Sequence, residues 1–90
     1  MVTKKIIVTG KVQGVNFRNA VKKKADELLI KGEVRNERDG SVHIIATADE
    51  LILFQLIDWC YEGSTRAEVE HVDTEDVALA WFDDFRVVRG

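Results

Sequence analysis

The chain has 90 residues, 13 basic against 16 acidic side chains, a net charge of −3, a single cysteine and no proline. General electrostatic binding to nucleic acid or to an anionic membrane is not expected, because such binding needs a basic face that neutralises phosphates, whereas a local basic pocket remains open. One cysteine excludes an internal disulfide framework and any multi-cysteine metal site. This length predicts a single domain over residues 1–90 with one small core.

The apolar segments are too short for a signal peptide or a membrane span. Residues 1–9 contain two lysines and no apolar stretch of signal-peptide length. The longest apolar-rich run, Leu51–Tyr61, is interrupted by Gln55 and Asp58, and it falls short of the roughly 20 residues that span a bilayer. We therefore expect a cytoplasmic protein, and the lone Cys60 fits a reducing compartment.

The first third of the chain predicts a strand, a loop and a helix. Lys5–Thr9 is short and β-branched, which is typical of a strand, and a loop with two glycines, Gly10–Asn16, follows it. The helix is expected to begin near Phe17, with Asn16 at its N-cap and Gly32 as its stop. Helical spacing predicts a buried stripe of Phe17, Val21, Ala25, Leu28 and Leu29.

A hairpin is predicted next, because Asp39-Gly40 is a strong turn signal. Its strands would be Glu33–Glu37 and Ser41–Thr47. Asp49 could cap a second helix that runs to about Tyr61 and ends at Gly63. That helix would bury Leu53, Leu56, Ile57 and Cys60.

Two more strands complete the predicted fold. Glu68–Glu75 carries acidic side chains suited to the wet face of an edge strand, and Asp84–Val88 is a short terminal strand. The order β-α-β-β-α-β with a terminal strand indicates an α+β, ferredoxin-like sandwich. In this fold two helices cover one face of an antiparallel sheet. Many functions share this fold, so the function must come from a site.

The segment Gly10–Arg18 (GKVQGVNFR) is the most informative one for chemistry. A glycine-containing loop that feeds a helix N-terminus can expose successive backbone N–H groups and form an anion nest. Arg18 falls in the first helical turn, where a cation is unfavourable unless an anion lies beside it. The simpler interpretation is that the loop is ordinary and that Arg18 is a solvated surface side chain.

Asn36 is the second candidate, at the point where the second predicted strand ends. A neutral amide there can both donate a hydrogen bond to a water molecule and accept one from it. The alternative is that Asn36 only organises the hairpin turn, where asparagine is common.

These two segments together resemble the acylphosphatase family. Its signature, a glycine followed by V-Q-G-V-x-F-R and later by V-x-N-x-x-D-G-S-V, is matched by Gly10–Arg18 and Val34–Val42. The resemblance extends over essentially the whole chain, and the predicted element order is that of the family. Two positions depart from the pattern. Glu33 stands where an aromatic residue is usual, and Gly63–Arg66 replaces a glycine-proline turn.

The resemblance implies an enzyme that hydrolyses the carboxyl–phosphate bond of small-molecule acyl phosphates without a metal, a cofactor or a covalent phosphoenzyme. It implies that Arg18 and Asn36 are the catalytic residues, with Asn36 positioning the attacking water. The phosphate would be held by Gln13, Gly14, Val15, Asn16, Phe17 and Arg18. The alternative is a catalytically weak module of the same fold that binds phosphate or acyl phosphate.

The positions of aromatic and apolar side chains bear on two other kinds of partner, RNA and a second copy of the chain. An RNA-binding module of this topology stacks bases on strand aromatics, and Lys5–Thr9 and Ser41–Thr47 contain none, so no nucleic-acid partner is expected. We expect a monomer. Apolar residues flank the core stripe of the second helix, and self-association through that helix remains open unless Val77–Phe85 covers them. These flanking residues are Ile52, Phe54, Trp59 and Tyr61.

Overall fold

A computed structural model describes residues 1–89. The five strands and two helices follow one another in the predicted order. They are β1 (Val2–Lys11), α1 (Phe17–Glu27), β2 (Lys31–Asn36), β3 (Val42–Ala48), α2 (Glu50–Glu62), β4 (Glu68–Val77) and β5 (Phe85–Val88).

The strands form one sheet in the order β4-β1-β3-β2-β5. The pairs β1–β3, β1–β4 and β2–β3 are antiparallel, whereas β5 lies parallel to β2. The ferredoxin-like prediction is confirmed, with the correction that the sheet is mixed. The parallel pairing arises because the chain leaves β4 at one edge, crosses the whole sheet and adds β5 at the other edge.

The first strand is longer than predicted, and this sets the direction of the loop that follows. Gly10 and Lys11, predicted to lie in the loop, belong to β1, and the register with β4 shifts between Thr9 and Gly10. Gly10 has φ +122, and a Cβ there would collide with the carbonyl oxygen of Glu68. Only glycine fits this bulge, which turns the chain from the strand towards the helix layer.

Helix α1 ends earlier than the pattern predicts. Leu28 is its C-cap, and Leu29 takes a left-handed φ of 58 and is 83 % exposed. Ile30 turns inward instead, and its N–H donates to the Ala25 carbonyl at 2.9 Å. The prediction that Leu29 joins the buried stripe was therefore wrong. Gly32 lies inside β2 and does not stop the helix.

One face of the sheet packs against both helices to form the core. Helix α1 contributes Phe17, Val21 and Ala25, and α2 contributes Leu53, Leu56 and Cys60. Ile57 is only half-buried. Cys60 is a buried core residue, as predicted, and burial raises the pKa of its thiol to about 12. The sheet side includes Ile6, Val8, Val34, Val42, Ile44 and Phe85.

The chain between β4 and β5 crosses the face of the sheet that the helices leave open. There the hydroxyls of Thr3 and Thr47 donate to the carbonyl of Ala80 at 3.3 and 2.6 Å, and Thr3 accepts from its N–H at 2.9 Å. This contact places the segment away from α2, so the expectation that it could cover that helix was wrong. Phe54 and Tyr61 remain 46 % and 58 % exposed.

A single glutamine joins the β1–α1 loop to the β2–β3 hairpin. Gln13 Nε2 donates to the carbonyls of Glu37 at 2.7 Å and Ser41 at 3.0 Å. The hairpin is itself closed by the Glu37 N–H donating to the Ser41 carbonyl at 2.9 Å, and Asp39 accepts from the N–H and hydroxyl of Ser41. These Ser41 bonds lower the pKa of Asp39. The loop and the end of β2 are thereby fixed against each other.

Replacing Gln13 should loosen this junction. Gln13→Ala removes two hydrogen bonds and should lower the free energy of unfolding by about 1–2 kcal/mol. Gln13→Glu keeps the size of the side chain, but a carboxylate only accepts hydrogen bonds and would face two carbonyl oxygens. Gln13→Glu should therefore lower the free energy of unfolding by at least as much. Urea denaturation measures both. Gln55→Glu, the same change on an exposed position of α2, is the control and should stay within about 0.5 kcal/mol. Equal stability of all three variants would contradict the role given to Gln13.

Candidate active site

The backbone at the start of α1 is left without a cap. Asn16 occupies the predicted N-cap position but makes no hydrogen bond to the backbone, because its Oδ1 accepts from Asn19 Nδ2 at 2.9 Å. Gly14 and Asn16 both take left-handed φ values, 73 and 64. In residues 1–89, the first backbone N–H of α1 that donates a hydrogen bond to the chain is that of Ala20. Its acceptor is the Asn16 carbonyl. The N–H groups of residues 14–19 thus have no acceptor in the described chain and can serve an anion.

A small concavity, here called the cradle, lies at these groups. Its volume is about 110 Å³, below the roughly 300–1,000 Å³ of sites that enclose a whole small molecule. It is a pocket for one chemical group. The cradle is lined by Val12, Gly14, Asn16, Phe17, Arg18, Asn19, Asn36 and Arg89.

Arg18 projects from the first turn of α1 towards the last strand. Its Nη1 donates to the Val88 carbonyl at 3.2 Å, which anchors the guanidinium at one nitrogen. No carboxylate of the described residues lies within 4.0 Å of Arg18. The remaining donors of the planar fork are available to an anion in the cradle.

Asn36 reaches the same cradle from the end of β2. Its Oδ1 is buried and has no hydrogen-bond partner in the described part of the chain. An unsatisfied buried acceptor costs about 1–3 kcal/mol, and such an atom indicates a donor supplied by solvent or ligand. The hairpin turn is held by Gln13, Glu37, Asp39, Gly40 and Ser41. The Asn36 side chain makes none of these bonds, so the turn-organising interpretation has no support.

Two of the predicted phosphate-binding residues, Gln13 and Val15, do not contribute side chains to the cradle. The Gln13 side chain is used by the hairpin, so only its backbone could serve a ligand. Val15 is buried and lines a neighbouring groove. Three cradle residues were missed, namely Val12, Asn19 and Arg89. Asn19 could have been found from its i, i+3 spacing to Asn16, whereas Arg89 depends on the pairing of β5, which no local signal predicts.

Two grooves leave the cradle. The strand-side groove, of about 360 Å³, contains Arg18 and Asn36 and continues to Arg35, Glu37 and Val88. The helix-side groove, of about 520 Å³, shares Asn16 and Asn19 with the cradle. It is further lined by Val15, Ala20, Lys23, Trp59, Gly63, Ser64, Thr65 and Arg66.

Charge around the cradle is positive although the chain is acidic overall. Among the described residues, its lining includes Arg18 and Arg89 and no carboxylate. Glu33, at the usually aromatic position, lies 3.3 Å from Arg35 Nη2 and does not line the cradle. Over residues 1–89 no group of three or more His, Cys, Asp or Glu side chains could hold a metal ion. No helix in the same range is long and apolar enough to cross a membrane.

The chain is similar to known acylphosphatases over most of its length. A curated acylphosphatase from Marinobacter nauticus is 45 % identical over 85 residues, covering 93 % of this chain and 92 % of that one. An acylphosphatase from Coxiella burnetii is 40 % identical over 82 residues, covering 91 % and 86 %. The crystal structure of acylphosphatase from Bacillus subtilis superposes with a TM-score of 0.95 at 33 % identity, covering 99 % and 100 %. A sequence model of this family matches residues 4–87, and the chain belongs to the acylphosphatase family.

Proposed function

We propose that the chain hydrolyses the carboxyl–phosphate bond of small-molecule acyl phosphates to a carboxylate and inorganic phosphate. The observation that carries this proposal is the unsatisfied, buried Oδ1 of Asn36. It lines the same cradle as Arg18 and the uncapped N–H groups of α1. One place thus offers donors for a phosphoryl group and an acceptor for a water molecule.

The phosphoryl group binds in the cradle. Backbone N–H groups from Gly14 to Asn19, together with the Arg18 guanidinium, donate to its oxygens and are favoured by the positive end of the α1 dipole. Because Val88 holds Arg18 in place, these donors are already oriented when the substrate arrives. Phosphoryl transfer depends mostly on such positioning and charge stabilisation.

The attacking water is held by Asn36. Its Oδ1 accepts a hydrogen bond from the water and directs the water oxygen at phosphorus. An amide is too weak a base to remove the proton, so the proton passes to an oxygen of the substrate's own phosphoryl group. The new P–O bond forms as the bond to the acyl oxygen breaks, and the carboxylate leaves with the electron pair. This route requires no metal, cofactor or covalent phosphoenzyme.

The alternative, a catalytically weak phosphate-binding module, is not favoured. Relatives at 40–45 % identity over about nine-tenths of the chain are named acylphosphatases. A binding module would have no use for an acceptor such as Asn36 Oδ1 beside the anion donors.

Arg18→Ala should remove most phosphate binding and turnover. Loss of one charged donor that acts on the transition state lowers kcat/KM by about 10²–10³-fold. Arg18→Lys keeps the charge but loses the planar fork and should fall between wild type and Arg18→Ala. Hydrolysis of benzoyl phosphate, followed by ultraviolet absorbance with chelator present, measures turnover, and competitive inhibition by inorganic phosphate measures binding. If phosphate inhibited Arg18→Ala as strongly as wild type, Arg18 would not be a phosphate ligand.

Asn36→Ala should separate binding from chemistry. The phosphate donors remain, so inhibition by inorganic phosphate should stay within about twofold, while kcat falls by about 10²–10³-fold because the water is no longer oriented. Far-UV circular dichroism controls for folding. A parallel loss of phosphate binding and of kcat would show that Asn36 supports the cradle itself and does not act on the water.

We propose that the enzyme acts as a monomer, and the meeting of Arg18 and Asn36 within one chain is compatible with this. The exposed apolar side chains of α2, including Leu51, Phe54 and Tyr61, offer a surface for self-association. Sedimentation from micromolar to millimolar concentration should return the mass of one chain, and a rising mass would contradict the proposal.

The continuous core supports one domain over residues 1–90, and a cytoplasmic location stays a prediction.

A further inference from the structure

The cradle opens into two grooves that differ in whether Asn36 and Arg18 line them. The strand-side groove includes Asn36 and Arg18. The helix-side groove includes neither and meets the cradle at Asn16 and Asn19. The cradle accommodates one phosphoryl group, so the rest of a substrate must extend into one of these grooves.

The stereochemistry of the reaction selects between the grooves. The entering and leaving oxygens lie roughly in line on opposite sides of phosphorus. If Asn36 holds the water, as the proposed function states, the acyl oxygen must leave on the side away from Asn36. We propose that the helix-side groove binds the acyl half of the substrate, and that Lys23 and Arg66 make it selective for acyl groups with a second negative charge.

The lining of this groove fits a carbon skeleton that ends in an anion. Trp59 and Ala20 are partly buried and provide apolar contact. The Trp59 ring is steadied by Phe17, with centroids 5.7 Å apart. Ser64 donates to the Val15 carbonyl at 2.8 Å, which fixes the 63–66 turn against the loop. A rigid apolar wall next to the cradle can therefore receive the acyl chain.

The charged residues that line the two grooves also favour the helix-side groove for an anionic acyl group. Lys23 and Arg66 are exposed, and no carboxylate of residues 1–89 lies within 4.0 Å of either. In the part of the chain that the structure describes, no acidic side chain lines their groove. The strand-side groove contains Glu37, and its Arg35 is engaged by Glu33 at 3.3 Å. A second anionic group on the acyl chain is therefore attracted to the helix side.

The test compares a substrate with an uncharged acyl group and a substrate whose acyl group carries a second negative charge. Benzoyl phosphate has a neutral end, and glutaryl phosphate ends in a carboxylate. The ratio of their kcat/KM values is measured for wild type, Lys23→Gln, Arg66→Gln and the double variant. Each single change should lower the preference for glutaryl phosphate about two- to fivefold, the range of an exposed ion pair. The double variant should lose about the product of the two effects.

Arg35→Gln is the matched control, since it removes one positive charge from the strand-side groove. It should leave the substrate ratio unchanged. If Arg35→Gln lowered the ratio, or if the double variant did not, the assignment of the acyl group would be overturned. If wild type hydrolysed neither substrate, the proposed function itself would fail, which is a separate outcome.

A steric variant tests the position of the acyl group without changing charge. Ala20→Met narrows the helix-side groove and retains good helix propensity. It should raise the KM for benzoyl phosphate about two- to tenfold, as one misplaced apolar contact is worth about 1 kcal/mol. Inhibition by inorganic phosphate should stay within about twofold. An unchanged KM with both substrates would show that the acyl group lies elsewhere.

Discussion

The geometry of the site depends on the two hydrogen bonds that Gln13 donates to the hairpin carbonyls. One of its partners, Glu37, directly follows Asn36, so the same contact that holds the loop also fixes the end of β2. The free amides at the start of α1 and the amide of Asn36 come from segments about 20 residues apart in the chain. The hydrogen bonds of Gln13 hold these two segments in a fixed position relative to each other.

The site is composed of polar groups that the fold leaves unsatisfied. Uncapped helix amides and a buried acceptor without a donor are each destabilising by about 1 kcal/mol or more. The core that offsets this is dense, with Phe17 and Val21 buried only a turn away from the loop. Stability and reactivity are thus separated along one helix. The first turn of α1 is reserved for the ligand, while its inner face holds the helix on the sheet.

Much of this was readable from the sequence because it depends on local patterns. Loop glycines, the Asp39-Gly40 turn and the helical spacing predicted the elements, and the resemblance to the acylphosphatase family implied that Arg18 and Asn36 share a site. The parts that failed depend on distant contacts. Leu29 looked like a stripe residue, but the helix unwinds before it. The path of residues 78–84 is set by Thr3 and Thr47 across the sheet. Arg89 reaches the cradle only through the pairing of β5.

The position of β5 also makes the site a late product of folding. Arg18 is anchored by the Val88 carbonyl, 70 residues further along the chain, and β5 is held at the sheet edge by its pairing with β2. Contacts of such sequence separation carry a large loop-closure cost and form slowly. The hairpin and both helices can therefore exist before the guanidinium is held in place. During refolding, the return of catalytic activity would report the pairing of β5 with β2. Circular dichroism of the helices would report steps that precede this pairing.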